Sequence, residues 1–361
     1  MHTRLKPLLA TFTMLLLGAA TVGAQVQGPV QAPPAPAAAV PPVDPHRISI
    51  DVEVTDKLGH NIGGLKPEDF TLLNNKQPTK ILDFREIDAR NSTDDPVHVI
   101  IVIDMINTGF EAVAREREQL GEFLRQDGGR LAHLTTLAML SERGIKMQQA
   151  PSLDGKALLD SLEGSNSELR MVGRSAGFWG AADRLNWSLN QLTQLITYEA
   201  NQPGRKVAFF ISPGWPMFAR AGEEATDKER KWAFSAIVGL TNGLREAHMT
   251  LYSLDPFQLG RTDPFYYQNF LKPPVNQDKA EFGDLGLQVL AAHSGGLVEV
   301  TGMDILGELN TAMRDANACY RLTFEAPPAD RRNEYHELRL QVDKPGALVR
   351  TTAGYYANVQ Q

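Results

Sequence analysis

The stretch VHVIIVIDMINTGF, residues 97–110, decides the fold class. It opens with a continuous apolar run that ends in Asp104. Two later runs have the same form: GRKVAFFIS ends in Ser212, and HMTLYSLD ends in Asp255. Apolar runs of this length are typical of strands that are covered on both faces, as in a parallel sheet.

Helical patterns lie between and after these runs, over residues 112–126, 181–200, 223–247, 284–293 and 304–316. A short apolar stretch, GGLVEV, precedes the last of them. Strand alternating with helix predicts an α/β fold with a doubly wound, mostly parallel sheet, whose ligands bind at the carboxyl ends of the strands. Asp104, Ser212 and Asp255 are all predicted to lie at that edge.

The residues on either side of this segment alternate apolar with polar side chains. Residues 46–90 carry such patterns around the turns DKLG and NNKQP, and residues 318–357 carry three more. Alternation of period 2 is typical of half-buried strands, and neither piece is large enough to form a core alone. We therefore predict that residues 46–90 and 318–357 form one small β-domain, into which the α/β domain, residues 96–317, is inserted.

The amino terminus has the pattern of an export signal followed by a tether. Arg4 and Lys6 precede an apolar run over residues 8–20, and small residues stand where a signal peptidase cleaves, so residues 1–24 are predicted to be removed. An uncleaved anchor is the alternative, but this run is shorter than the roughly 20 residues of a spanning helix. Residues 25–45, rich in Pro and Ala, are predicted to be an extended linker. The mature chain is expected in the periplasm or outside the cell, without stable membrane insertion.

Composition excludes several functional classes. The net charge is −7 and the basic residues are spread along the chain, so no basic stripe is present for phosphates and nucleic acid is not an expected partner. The single cysteine, Cys319, excludes an internal disulfide and is predicted to be a buried hydrophobic residue. No CxxC, HExxH or phosphate-binding glycine motif occurs. These patterns predict no cofactor.

The placing of VIIVIDMINT resembles that in von Willebrand factor A domains, whose first strand ends in Asp-x-Ser-x-Ser. More closely, VTDKLGHNIGGLKPEDFTLLNN, GRKVAFFISPGWP, AAHSGGLVEV and CYRLTFEAP are similar to exported bacterial proteins described as VWFA-related, familiar from Acidobacteria. The resemblance runs from about residue 46 to residue 357. It implies a protein-interaction module, because A-domain proteins of known role mostly bind other proteins. A protein in the envelope or outside the cell is the expected partner.

The same resemblance implies a site for Mg²⁺, the metal-ion-dependent adhesion site, at the carboxyl edge. Asp104 matches its first Asp and Thr108 its second Ser, whereas Ile106 replaces its first Ser and Pro213 its second carboxylate. A hydrocarbon side chain cannot coordinate a hard cation. The site is therefore predicted to be degenerate, with Asp104 and Thr108 as the remaining metal ligands.

Two further interpretations of this edge stay open. In the first, Asp104 and Asn107 have a structural role and hydrogen-bond the neighbouring loop backbones, as Asp and Asn commonly do. In the second, Asn107 and Asp255 add oxygen ligands and complete an unorthodox metal site. The structural role is the one that we expect.

An enzymatic alternative rests on three polar residues. Ser212, Asp255 and His293 follow one another in the chain order of an α/β-hydrolase triad. Against this alternative, Phe210 replaces the first Gly of the nucleophile motif, and Pro213 has no backbone N–H for an oxyanion hole. The predicted function is therefore non-catalytic protein binding or scaffolding, with a divergent serine hydrolase as the alternative.

The segment DPFQLGRTDPFYYQNFLKPP, residues 255–274, is rich in aromatic residues. Phe265, Tyr266 and Tyr267 are candidate interface residues, because exposed Phe and Tyr are typical anchors of interfaces. The alternative is that these rings cover a local core. The complete set of predicted binding residues is Asp104, Asn107, Thr108, Ser212, Asp255, Phe265, Tyr266 and Tyr267.

Overall fold

A computed structural model describes residues 46–89, 95–148, 150–164, 177–216, 225–255, 265–299 and 304–359. The predicted signal peptide and the predicted linker lie outside these ranges, because residues 1–45 are not among them. Within the described ranges, no helix is both long enough and apolar enough to cross a membrane.

The first four strands precede the α/β segment. They are β1 (Arg47–Thr55), β2 (Phe70–Asn74), β3 (Gln77–Thr79) and β4 (Ile81–Asp88). In β1 the side chains of Ile48, Ile50 and Val52 are buried while those of Arg47, Ser49 and Asp51 are less so. This alternation is the one that the sequence predicts for a half-buried strand.

A seven-stranded sheet forms the centre of the α/β segment. Its strands are β5 (Val97–Asp104), β6 (Arg130–Ser141), β7 (Gly144–Met147), β8 (Ser152–Asp154), β9 (Arg205–Ile211), β10 (Met249–Leu254) and β11 (Val298–Glu299). The order is β11-β10-β9-β5-β6-β7, and β8 pairs with β6. Five strands are parallel, and β7 and β8 are antiparallel to β6. The predicted α/β class with a mostly parallel sheet is confirmed.

Helices cover both faces of this sheet. They are α1 (Phe110–Arg125), α2 (Gly155–Gly164), α3 (Gly177–Ala200), α4 (Asp227–Glu246), α5 (Leu287–His293) and α6 (Ile305–Ala312). Ile100 and Val102 of β5 pack in the core with α3, α4 and α5. Ile101 and Ile103, on the opposite face, pack in the core with α1, α2 and α6. Because both faces are covered, every residue of β5 is buried.

The last four strands are β12 (Ala318–Glu325), β13 (Glu334–Val342), β14 (Leu348–Thr351) and β15 (Gly354–Ala357). They pair with the first four in two antiparallel sheets, ordered β14-β1-β12-β4 and β15-β13-β2-β3. Val52, Leu72, Leu322 and Leu338 contribute to one core between the two sheets. Cys319 at the start of β12 is 2% exposed, in agreement with its prediction as a buried residue.

Candidate functional site

Asp104 ends β5 at the carboxyl edge of the central sheet and is fully buried. Its Oδ1 accepts hydrogen bonds from the backbone N–H groups of Ile106 and Asn107, at 2.9 and 3.1 Å. Its Oδ2 accepts hydrogen bonds from Asn107 Nδ2 at 2.8 Å and from Ser212 Oγ at 2.7 Å. Because a carboxylate has about four lone-pair positions, donors from the chain itself saturate Asp104.

Asn107 and Ser212 connect this carboxylate to other elements. Asn107 Nδ2 donates a second hydrogen bond to Ser188 Oγ of α3, at 3.0 Å. Ser212 follows β9, and its Oγ also accepts a hydrogen bond from the N–H of Gly214 at 3.0 Å. The turn after β5, the end of β9 and α3 are therefore joined through Asp104. This arrangement is the one that a structural role for Asp104 and Asn107 requires.

Burial and hydrogen bonding act in opposite directions on Asp104. Burial raises the pKa of its carboxyl above the usual value, because the charged form loses its water. The hydrogen bonds from Ser212, Asn107 and Ile106 oppose that rise, because they stabilise the charged form. The local donors thus offset part of the effect of burial on this carboxyl.

The residues at this edge do not fit the divalent ion that the family resemblance implies. An ion bound to Asp104 would have to displace one of its four donors, and Mg²⁺ requires several further oxygen ligands in near-octahedral array. Ile106 is 5% exposed and packs in the core with α3, α4 and α5. Thr108 is buried, and its N–H donates to Asp104 O at 3.3 Å. Within the described part of the chain, no three His, Cys, Asp or Glu side chains are placed to hold a metal ion.

We predict that Mg²⁺ does not measurably stabilise this protein. A ligand that binds only the folded state adds RT ln(1 + [L]/Kd), so about 1 mM of an ion with a Kd of about 10 mM adds less than about 0.1 kcal/mol. The melting temperature measured by calorimetry should therefore differ by no more than about one degree between Mg²⁺ and EDTA. A shift of several degrees that disappears in Asp104→Asn would contradict this prediction and restore a working ion site.

Glu116 is a buried acidic residue that the sequence analysis did not single out. It lies on α1 and is fully buried, and among the described residues neither of its carboxyl oxygens has a hydrogen-bond partner. Burial, and then the negative charges of Asp104 and Asp255, raise the pKa of Glu116 to about 9, so this carboxyl is protonated at pH 7. The sequence does contain a signal, because Glu116 lies between Val113 and Leu120 on the stripe where helical spacing predicts apolar residues.

The three residues of the hydrolase alternative do not come together. Ser212 donates to Asp104, and Asp255 follows β10 at the same carboxyl edge. His293 ends α5 and lines a cavity together with Met249, the first residue of β10. It therefore lies near the amino end of β10, and a strand of six residues, roughly 20 Å long, lies between it and Asp255.

His293 also has a different partner. Its Nε2 lies 2.9 Å from the carbonyl oxygen of Phe270, a geometry in which the ring donates its proton to that carbonyl. Burial lowers the pKa of His293 to about 4, so the ring is neutral at pH 7. In a catalytic triad, the histidine nitrogen that faces the serine must be free of a proton so that it can accept one from the serine hydroxyl. Here Nε2 already carries a proton. The structure does not assemble the predicted triad.

The aromatic residues that follow residue 264 divide between exposed and buried positions. Phe265 is 45% exposed and Tyr267 is partly buried, whereas Tyr266 is 7% exposed. The hydroxyl of Tyr266 donates to Gln288 Oε1 of α5 at 2.7 Å. Tyr266 therefore covers a local core, and its prediction as an exposed interface residue is wrong. Residues 256–264 lie outside the described residues.

Comparisons with known proteins leave the family open. No protein-family model and no curated protein sequence matches the chain. Among solved structures, a human COPII-coat protein matches with a TM-score of 0.33 and 9% identity, over 77% of this chain and 46% of that chain. The open conformation of a pilus adhesin from Lactobacillus rhamnosus GG matches with a TM-score of 0.35 and 9% identity, over 80% and 48%. The chain spans about half the length of these two proteins, and scores this low do not establish a shared fold.

Proposed function

We propose that this chain is an exported, non-catalytic protein-binding or scaffold module with a von Willebrand factor A-like domain and a degenerate adhesion site. The saturation of Asp104 carries the proposal, because all four hydrogen bonds to its carboxylate come from the chain itself. The edge thus keeps polar residues of an adhesion site without an open position for an ion. Ser212 is bonded to Asp104, so the serine of the hydrolase alternative is part of this same structural network.

An exposed aromatic ring stands beside this network. Phe110, the first residue of α1, is 49% exposed and follows directly on the turn that contains Asn107 and Thr108. Aromatic side chains on a rigid support are typical anchors of protein interfaces, since little conformational entropy is lost when they bind. A protein of the envelope or the cell exterior is the proposed partner, in keeping with the predicted export signal.

Affinity capture from bacterial envelope extracts tests this proposal. The purified mature chain is immobilised, and captured proteins are compared in Mg²⁺ and in EDTA. We expect the same proteins in both, and at least about tenfold weaker capture by Phe110→Ser, a loss of about 1.4 kcal/mol. Leu58→Ser is the matched control, because Leu58 is 74% exposed in a turn far from α1 in sequence, and it should capture as the wild type does.

Two outcomes would contradict the proposal. Capture that requires Mg²⁺ would mean that the adhesion site is functional. Hydrolysis of an activated ester by the purified wild type, abolished in Ser212→Ala, would instead favour the hydrolase alternative.

A further inference from the structure

Two neighbouring helices expose a surface that lacks charged side chains. α3 has no Asp, Glu, Lys, Arg or His over residues 185–198, and α4 has none over residues 232–244. Because 22% of the whole chain is charged, two adjacent uncharged runs are not what its composition predicts. Trp232 of α4 is also exposed. Depletion of charge together with an exposed Trp is the composition of a protein interface.

A groove of about 370 Å³ runs between the two helices. Its α4 wall consists of Trp232, Ala236, Gly239, Leu240 and Gly243, whose spacing places them on one side of the helix. A Cβ added at Gly239 would meet no heavy atom within 4 Å, so the groove is open at that point.

The α3 wall of the groove includes two threonines whose hydroxyls are already bonded. Thr193 Oγ1 donates to Leu189 O and Thr197 Oγ1 donates to Thr193 O, each at 2.8 Å within the helix. Since both hydroxyls have backbone partners, the methyl groups of these residues remain for contact with an occupant. Asn186 and Asn190 also line this wall, so the groove is suited to an uncharged surface with both apolar and polar groups.

The same face of α4 has a protruding ring at one end and a residue without a side chain, Gly243, at the other, where Ile196 of α3 lies close to it. Trp232 is 41% exposed, and its ring lies 6.0 Å from that of Phe282, which supports it. The midpoint of α4 between Trp232 and Gly243 falls between residues 237 and 238. A two-fold axis at that level, with two copies of α4 antiparallel, sets each Trp232 opposite Gly243 of the other copy. A two-fold interface forms each such contact twice.

Charge and area favour a second copy of the chain as the occupant. The net charge of −7 makes two copies of the chain repel one another. In a two-fold contact the same face of both copies meets, so any net charge on that face would add to this repulsion. The uncharged face avoids this. The thirteen residues 232–244 of α4 span about 20 Å, and α3 and α4 side by side are about 20 Å wide. The face that one copy can bury in the contact is therefore on the order of 400 Å². This is about half the area of a standard stable interface, so the contact should be weak.

We propose that the α3–α4 groove is the interface of a weak homodimer, in which two copies pack α4 against α4 about a two-fold axis. This inference does not depend on the proposed function. It adds to that function, because a dimer presents two partner-binding surfaces and increases avidity without any new contact to the partner.

Sedimentation equilibrium of the purified mature chain over a range of concentrations tests the dimer. We expect a reversible monomer-dimer equilibrium with a Kd on the order of 100 µM. Gly239→Glu should raise that Kd at least about tenfold, because it places a carboxylate from each copy in the groove. The substitution should not prevent folding, since Gly239 is exposed with open space beside it and Glu forms helices more readily than Gly.

Gln77→Glu is the control for charge. Gln77 is exposed on β3, outside α3 and α4, so its replacement should leave the Kd within about twofold of the wild type. A wild type that stays monomeric up to about 1 mM would overturn the proposal, and a helix of another protein would then be the occupant to test. A dimer that Gly239→Glu does not weaken would overturn it as well.

Discussion

Replacing Arg205 with Met is expected to lower the free energy of unfolding by about 3–5 kcal/mol. The guanidinium of Arg205 is fully buried at the first position of β9. Its Nη1 donates to Asp315 O at 2.8 Å, and its Nη2 donates to Glu53 Oε1. Glu53 belongs to β1 and is 3% exposed, and burial raises its pKa to about 8 although the charge of Arg205 opposes that rise. The variant therefore leaves a buried acid that must either stay charged without its partner or take up a proton. A buried charge without a partner is strongly destabilising.

A second substitution separates this cause from a simple loss of packing. Glu53→Gln combined with Arg205→Met removes the isolated charge and should recover about half of the lost stability or more. Arg339→Met is the surface control, since Arg339 is 59% exposed and pairs with Glu337 at 2.8 Å, and it should cost less than about 1 kcal/mol. Urea denaturation measures all of these variants. A loss below about 1 kcal/mol in Arg205→Met would contradict the expected role of the pair.

This ion pair joins two parts of the fold that are formed by distant segments of the chain. β1 belongs to a sheet built from the two ends of the described chain, and β9 belongs to the central sheet. The desolvation of both charges opposes folding, so the pair adds less stability than its Coulomb attraction suggests. The loss of Arg205 is nevertheless costly, because the acidic group of Glu53 would remain buried without its partner.

Glu116→Gln is expected to stabilise the protein at alkaline pH. Burial, and then the charges of Asp104 and Asp255, raise the pKa of Glu116 from 4.5 to about 9 in the folded chain. Between these values the unfolded chain releases the proton while the folded chain keeps it. The stability associated with the protonated carboxyl is therefore fully present below about pH 4.5 and is lost as the pH rises toward 9. Glutamine has no such proton to lose.

Denaturation at several pH values measures this effect. At about pH 8 the variant should be more stable than the wild type by on the order of 3 kcal/mol, and at about pH 5 the two should differ by less than about 1 kcal/mol. Glu122→Gln is the matched control, because Glu122 is exposed on the same helix, and it should follow the wild type throughout. Parallel pH curves for the wild type and Glu116→Gln would show that the folded chain does not hold this carboxyl protonated.

The class of the fold could be predicted from the sequence because a strand that is buried on both faces is a continuous run of apolar residues. The apolar runs that end at Asp104, Ser212 and Asp255 do not alternate, and the structure has them as the neighbouring parallel strands β5, β9 and β10. The sequence patterns predict no strand or helix over residues 130–164. One reason is that β6 alternates over its first residues and is then buried continuously, so neither pattern is complete.

Part of the candidate site could be predicted for the same reason. The carboxyl ends of parallel strands meet at one edge of the sheet, which predicts that Asp104 and Ser212 lie near each other. The hydroxyl of Ser212 does donate a hydrogen bond to the carboxylate of Asp104. Chain order was a poor guide for His293, because order does not decide at which edge of the sheet a residue lies. Tyr266 was likewise an interface candidate by composition alone, whereas its hydroxyl is bonded to Gln288 inside the fold.

The sequence by itself determined which segments are apolar, alternating or helical, and therefore the α/β class and the edge at which the polar residues collect. Only the tertiary structure decided the partners and the charge of the buried polar groups. Ser212 is 108 positions from Asp104, and Arg205 is 152 positions from Glu53. Hydrogen bonding and desolvation act over a few ångströms in space, and the spacing of residues along the chain does not record which distant groups come within that distance.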